Sequence, residues 1–296
     1  MGGLGYRVDT MLSLTTPPSL LHADPECGHA PRTVRNAAVR ALLGELITYP
    51  KPGLVSLCDS GSHRDMDAAS FVRSSLALRR YFEQAAAAGA QGASFATLNR
   101  LGRAAEARML RATGGVNTHR GAIFNLGLLA AAAGARTPRD RAPLGERVRQ
   151  LWGADIAAHR RDGGSHGSRV TAAHGAGGAQ AEAAAGFPSV YRLALPAYRD
   201  ALARSGAANA ARVQAFFTLM AELADTNLLH RGGAAGLAFA QSAARQFLDA
   251  GGVHRSGWQS HAVRVHRQLV ERWLSPGGSA DLLAACLFVA ALEPAR

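Results

Sequence analysis

The chain has 296 residues, with 33 Lys and Arg against 21 Asp and Glu, for a formal charge of +12. Hydrophobic residues at 48% and charged residues at 18% exclude general disorder and leave room for one large domain or two small ones. The charge alone does not make a nucleic-acid footprint, because Lys51 is the sole lysine, the arginines are spread along the whole chain and aromatic residues are only 6%.

A positive cleft for a polyanionic small molecule fits the composition equally well. Cys27, Cys58 and Cys286 form no CxxC pair, which predicts a reduced, cytoplasmic protein. The most apolar stretch, 122–135, is interrupted by Asn125 and is too short to span a bilayer. No basic-then-apolar leader opens the chain, so neither a membrane span nor a secretory signal is expected.

In chain order, residues 1–30 read as a flexible N-terminal arm and 31–296 as one all-α catalytic domain. Over 33–48 the positions Val34, Ala38, Ala41, Leu42, Leu46 and Ile47 recur at helical spacing until Pro50, Pro52 and Gly53 stop the pattern. Further helices are predicted over 67–88, 94–111, 120–133, 144–160, 189–203, 208–223, 234–250, 257–274 and 279–291, with Asp67, Ser94 and Ser279 as N-caps. The stretch 53–57 is the one strand candidate, and it is too short to seed a sheet. The fold class is therefore all-α, a single multi-helix domain whose site lies at glycine-rich helix junctions. Amides at helix N-termini lack partners there and attract anions.

Five segments concentrate polar chemistry. PKPGLV holds Lys51 between two prolines and is followed by GSHRDMD, with Ser62, His63, Asp65 and Asp67. An ammonium suits a phosphate oxygen, and the histidine and acids suit a metal or a base, although Asp67 equally suits a plain helix cap. GVNTHRG brings Asn117, Thr118, His119 and Arg120 to the start of an apolar helix, and Glu106 on the preceding helix offers a carboxylate to the same junction. GGAQAEAAAGFP has glycines but no preceding strand, which rejects a dinucleotide-binding reading. DTNLLHRGG contributes Asp225, Asn227 and Arg231, and SPGGSAD contributes Ser275 and Asp281. No P-loop, G-x-S-x-G elbow, HExxH helix or kinase signature is present. The residues alone lead to a helical enzyme with an anionic, metal-assisted ligand.

PKPGLV with GSHRDMD, GVNTHRGAIF, GGAQAEAAAGFP, DTNLLHRGG and SPGGSADLLA, in this order over about 35–290, resemble the triphosphoribosyl-dephospho-CoA synthase family that serves citrate lyase and malonate decarboxylase. The DSGSH run after PKPGLVS looks most like the malonate decarboxylase branch. The resemblance implies a pentosyltransferase. ATP would donate its 5-triphosphoribosyl group to the 2′-hydroxyl of 3′-dephospho-CoA, adenine would leave, and the anomeric centre would invert in one displacement. The product would be the precursor of the prosthetic group of a decarboxylase acyl carrier protein, attached by a partner transferase. No nucleic acid or membrane partner is implied, and a homodimer is left open.

The chemistry then demands cations and Mg²⁺ for the triphosphate, negative charge near an oxocarbenium-like centre and a base for the acceptor hydroxyl. Lys51, Arg120 and Arg231 are expected on the triphosphate. Asn117, His119 and Asn227, with Ser62 and Ser275, are expected on ribose or phosphate. His63, Asp65, Asp67 and Glu106 are the catalytic candidates, and Asp65, Glu106 and Asp281 the metal candidates. Gln180 stands where the family pattern often has an arginine, so a phosphate contact there would be lost or supplied by Arg169 or Arg192. Two other readings compete: a helical nucleotide hydrolase that cleaves an N-glycosidic bond with water, and a nonenzymatic basic module.

Overall fold

Alanine, leucine and arginine, all strong helix formers, fill the chain, and a computed structural model describing residues 29–137, 139–159 and 178–293 is helical throughout, with no strand among the described residues. The helices are α1 (Pro31–Leu46), α2 (Ala68–Ala77), α3 (Arg79–Ala90), α4 (Phe95–Ala112), α5 (Arg120–Gly134), α6 (Leu144–Ala158), α7 (Gly178–Ala184), α8 (Leu195–Ser205), α9 (Ala208–Glu222), α10 (Thr226–Asp249), α11 (Trp258–Glu271) and α12 (Gly277–Leu292). None is long and apolar enough to cross a membrane.

Two helices, α5 and α12, carry apolar residues all round and are buried accordingly. They pack on each other and are wrapped by α1, α3, α4, α6, α9 and α10. Small residues make the wrapping close. A Cβ on Gly89 of α3 would stand 1.9 Å from the Ala131 carbonyl oxygen of α5, and one on Gly134 would stand 1.9 Å from that of Ala86. The long axis of α5 is thus held against α3 with its N-terminus pointing at the site.

The expected helices are present with four corrections. The stretch 67–88 is two helices, because buried Leu78 takes φ −84°, ψ −8° and turns α3 away from α2. The helix expected over 234–250 starts eight residues earlier, at Thr226, with Gly233 at φ 61°, ψ −162° forming a kink inside it. The helix expected over 189–203 begins instead as a π-helical turn, Val190–Ala194, and the GGAQAEAAAGFP segment contributes α7. Ser279 does not cap α12, which starts two residues before it. The Asp225 carboxylate accepts the Ser279 amide at 2.8 Å from outside the helix, so the cap comes from another element. The arm expected over 1–30 lies, but for residues 29 and 30, outside the described residues, as does Arg169.

Candidate active site

The helix junctions do converge. The starts of α5, α10 and α12 border one cavity of about 1240 Å³, which α1, α4 and the loop before α2 complete. Asp225, itself buried, joins two of these starts. Its Oδ1 caps α10 through the amide of Asn227 at 2.9 Å, while its Oδ2 takes the amide and hydroxyl of Ser279 at 2.8 and 3.1 Å. Gly278 lets the carboxylate come close, since a Cβ there would meet all three carboxylate atoms at a tight 3.1–3.2 Å.

Asp281 ties α12 to the third start. Its carboxylate accepts the Ala122 amide and lies so close to Gly121 that a Cβ at 121 would stand 1.9 Å from Oδ2. Burial, then the charges of Glu45 and Asp225, hold its pKa well above the ordinary carboxylate range. A carboxyl tuned upward and facing a cavity is the kind of group that serves in proton transfer.

A second cluster gathers His63, Asp65, Arg231 and Ser275 from three distant segments. His63 Nε2 is 2.8 Å from Ser275 Oγ, and its Nδ1 is 3.2 Å from Arg231 Nη2 and 3.6 Å from Asp65 Oδ1. Arg231 Nη1 donates to the carbonyls of Ser62 and Trp273 at 2.9 and 3.0 Å, so its guanidinium is fixed in place. Burial and Arg231 lower the His63 pKa to about 4 despite Asp65, which keeps the ring neutral at pH 7. The α5 start supplies Arg120, paired with Glu106, and Asn117, whose Oδ1 accepts the Arg120 amide at 3.1 Å. Asn227 also lines the cavity.

His119 sits 3% exposed beneath Arg120 in sequence. Its Nδ1 is 2.6 Å from Ser74 Oγ, its ring meets Phe71 edge-on, and its Nε2 has no partner among the described residues. Burial and the Lys51 charge lower its pKa to about 3. It reaches the cavity as a neutral hydrogen-bonding group.

Three expected site residues have other work. The Lys51 ammonium is fully buried, outside the cavity lining, and is bound by the carbonyl and carboxylate of Glu45. Proline stiffness directs it inward to Glu45, not outward to a phosphate. The Asp67 carboxylate caps α2 through the Ser70 amide and hydroxyl at 2.8 and 2.7 Å, away from the cavity. Ser62 Oγ is spent on the Leu274 carbonyl at 2.7 Å. Gln180 donates to the carbonyls of Ile156 and His159 and so holds α7 to the end of α6.

Three residues that the motifs did not select also face the cavity: Glu45, Asn125 and Glu182. Glu45 stood among Ala41, Leu42 and Leu46, a charge on an apolar helix face, which is the signal that could have found it. Among the described residues, no three His, Cys, Asp or Glu side chains converge tightly enough to cage a metal. Magnesium on a triphosphate needs no such cage, because phosphate and water supply most of its ligands. The hard oxygens of Asp65 and Glu106, each beside an arginine that faces the cavity, fit that mode.

The chain matches the model of the CitG family, ATP:dephospho-CoA triphosphoribosyl transferase, over residues 31–296. It is 41% identical to a probable 2-(5''-triphosphoribosyl)-3'-dephosphocoenzyme-A synthase of Pseudomonas syringae pv. tomato, with 94% of this chain and 97% of that protein covered. It is 40% identical to the synthase of that name from Klebsiella pneumoniae, covering 87% and 90%, and 40% identical to a probable one from Acinetobacter calcoaceticus, covering 86% and 88%. No solved structure matches. With a family model spanning the whole helical domain and relatives alike over nearly their full lengths, the chain belongs to the ATP:dephospho-CoA triphosphoribosyl transferase family.

Proposed function

We propose that this chain transfers the 5-triphosphoribosyl group of ATP to the 2′-hydroxyl of 3′-dephospho-CoA in a single in-line displacement. The observation that carries the reading is the Asp281 carboxylate, buried against the N-terminus of α5 in a cavity that arginines also line. As the C1′–N9 bond breaks and the C1′–O2′ bond forms, the hydroxyl proton passes to Asp281. The same carboxylate offsets positive charge growing at C1′. Adenine leaves with the electron pair and takes up a proton.

Arg120 and Arg231 take the triphosphate, and Asp65 and Glu106 are the residues that would hold a magnesium ion carried on it, whose charge would neutralise phosphate. Asn117, Asn227, Ser275 and the neutral rings of His63 and His119 orient ribose and phosphate oxygens. The size of the cavity supports two substrates bound together, since pockets for one drug-sized ligand run to about 1000 Å³. The DSGSH run favours the malonate decarboxylase system, in the cytoplasm, with a partner transferase and an acyl carrier protein downstream.

The test is a mass-balanced assay with ATP and Mg²⁺, with and without 3′-dephospho-CoA. Adenine should appear only with acceptor, in step with an acceptor heavier by one triphosphoribosyl group. Adenine without acceptor would identify a hydrolase instead. Asp281→Asn should lower kcat by about 100-fold or more, the scale of a lost general base, with the KM for ATP within a few-fold of wild type.

A further inference from the structure

We infer that Asn125 reads an adenine base inside the cavity. This assignment rests on the reading of the cavity as the site of ATP and dephospho-CoA, both of which carry adenine. Asn125 is 1% exposed in α5, where its helical neighbours are Ala, Leu, Ile and Phe. Its Oδ1 is buried without a hydrogen-bond partner among the described residues, although the side chain borders the cavity. An apolar residue would fill that helix position at no such penalty, whereas an unpaired buried amide oxygen is destabilising. A ligand that supplies the missing donor removes the penalty once the amide turns its oxygen into the cavity.

The required ligand group follows from hydrogen-bond polarity. A carbonyl oxygen accepts, so it needs an N–H or O–H opposite it, and a triphosphate at neutral pH offers acceptor oxygens alone. Helical spacing puts Gly121, Asn125 and Leu128 on one face of α5, and all three line the cavity. Asp281 occupies the Gly121 end, where sugar chemistry belongs. The lining also includes Leu128 and, on the neighbouring α4, Phe95 and Leu98, with Asn99 and His159 beside them, flat and apolar surfaces on which a base can lie. A primary amide pairs with adenine through two hydrogen bonds, its oxygen taking the 6-amino N–H while its own N–H₂ meets a ring nitrogen. A 6-oxo purine presents an oxygen in place of the amine and loses this pairing.

The experiment measures affinities by calorimetry for wild type, Asn125→Leu and Asn125→Ala. The ligands are ATP, inosine triphosphate, 3′-dephospho-CoA and 4′-phosphopantetheine, with no catalytic turnover needed. If the donor base is read, wild type prefers ATP over inosine triphosphate by about 10- to 100-fold, and the preference falls to within about threefold in both variants. If the acceptor base is read, dephospho-CoA loses about 10-fold or more in the variants while adenine-free phosphopantetheine is unchanged. Variants that fold with a normal melting profile and keep every wild-type affinity ratio would overturn the assignment, as would a wild type with no preference in either arm. Should ATP bind with that preference while no acceptor-dependent adenine is released, the transferase reading fails and the base-reading role stands.

Discussion

His119 owes part of its state to Lys51. The ammonium is buried and locked to Glu45, and its charge adds to burial in lowering the histidine pKa to about 3. Unfolded, His119 would titrate near 6.5. Between those values the unfolded chain binds more protons, so this contribution to stability is complete above about pH 6.5 and is lost as the pH falls toward 3. Lowering the pH from 6.5 to 5 should therefore cost wild type about 2 kcal/mol more than His119→Asn, measured by urea unfolding at each pH. Parallel pH dependences in the two proteins would refute the neutral buried imidazole. The lysine makes a separate prediction. Lys51→Ala leaves the Glu45 carboxylate without its partner in the interior and should lose about 3–5 kcal/mol, whereas Lys51→Met with Glu45→Gln should recover most of it. Equal losses in the single and double variants would count against a buried charged pair.

At the scale of elements, the kink in α10 falls two residues after Arg231, and it is expected to aim that side chain. Gly233 adopts φ 61°, ψ −162°, a backbone region open almost to glycine alone, and nothing lies within 4 Å of where its Cβ would stand. Gly233→Ala thus adds strain without a clash, and the helix relieves it by straightening. Arg231 would then leave the carbonyls of Ser62 and Trp273 and the ring of His63. The expected result is a rise of about tenfold in the KM for ATP with a melting temperature near that of wild type, read from steady-state kinetics and calorimetry. An unchanged KM would mean that the kink does not aim the guanidinium. The kink also marks what the sequence could and could not disclose. Apolar spacing made α1, α4, α5, α6 and α9 legible nearly to their ends, and glycine-rich junctions with polar neighbours correctly pointed to where the cavity lies. Lys51 and Asp67 turn instead on local partners, Glu45 six residues back and Ser70 three residues on; the helix cap at Asp67 is legible in the sequence, whereas the inward turn of Lys51 is not. Glu45 and Asn125 escape the motifs for the opposite reason: each is a lone polar residue on an apolar helix face, given significance by contacts between elements.

For the whole molecule, the decisive property is that one cavity collects the starts of α5, α10 and α12, three arginines and a high-pKa carboxylate within about 1240 Å³. Both nucleotides can then be present when the sugar bond breaks, and no protein group needs to carry the triphosphoribosyl unit between half-reactions. A covalent route has a kinetic fingerprint, ping-pong behaviour, and would let free adenine return to the enzyme-bound sugar without an acceptor. Direct displacement forbids that return. Incubating the protein with ATP and isotopically labelled adenine, in the absence of dephospho-CoA, should leave the label out of ATP over a time that allows many turnovers with acceptor. Initial rates with both substrates varied should give intersecting reciprocal plots rather than parallel ones. Labelled ATP would require a nucleophile on the protein, and the first candidate would be Asp281, since its carboxylate faces the cavity at the N-terminus of α5. The two outcomes also differ in stereochemistry. One displacement gives the inverted linkage, while two successive ones would retain the configuration that ATP brings.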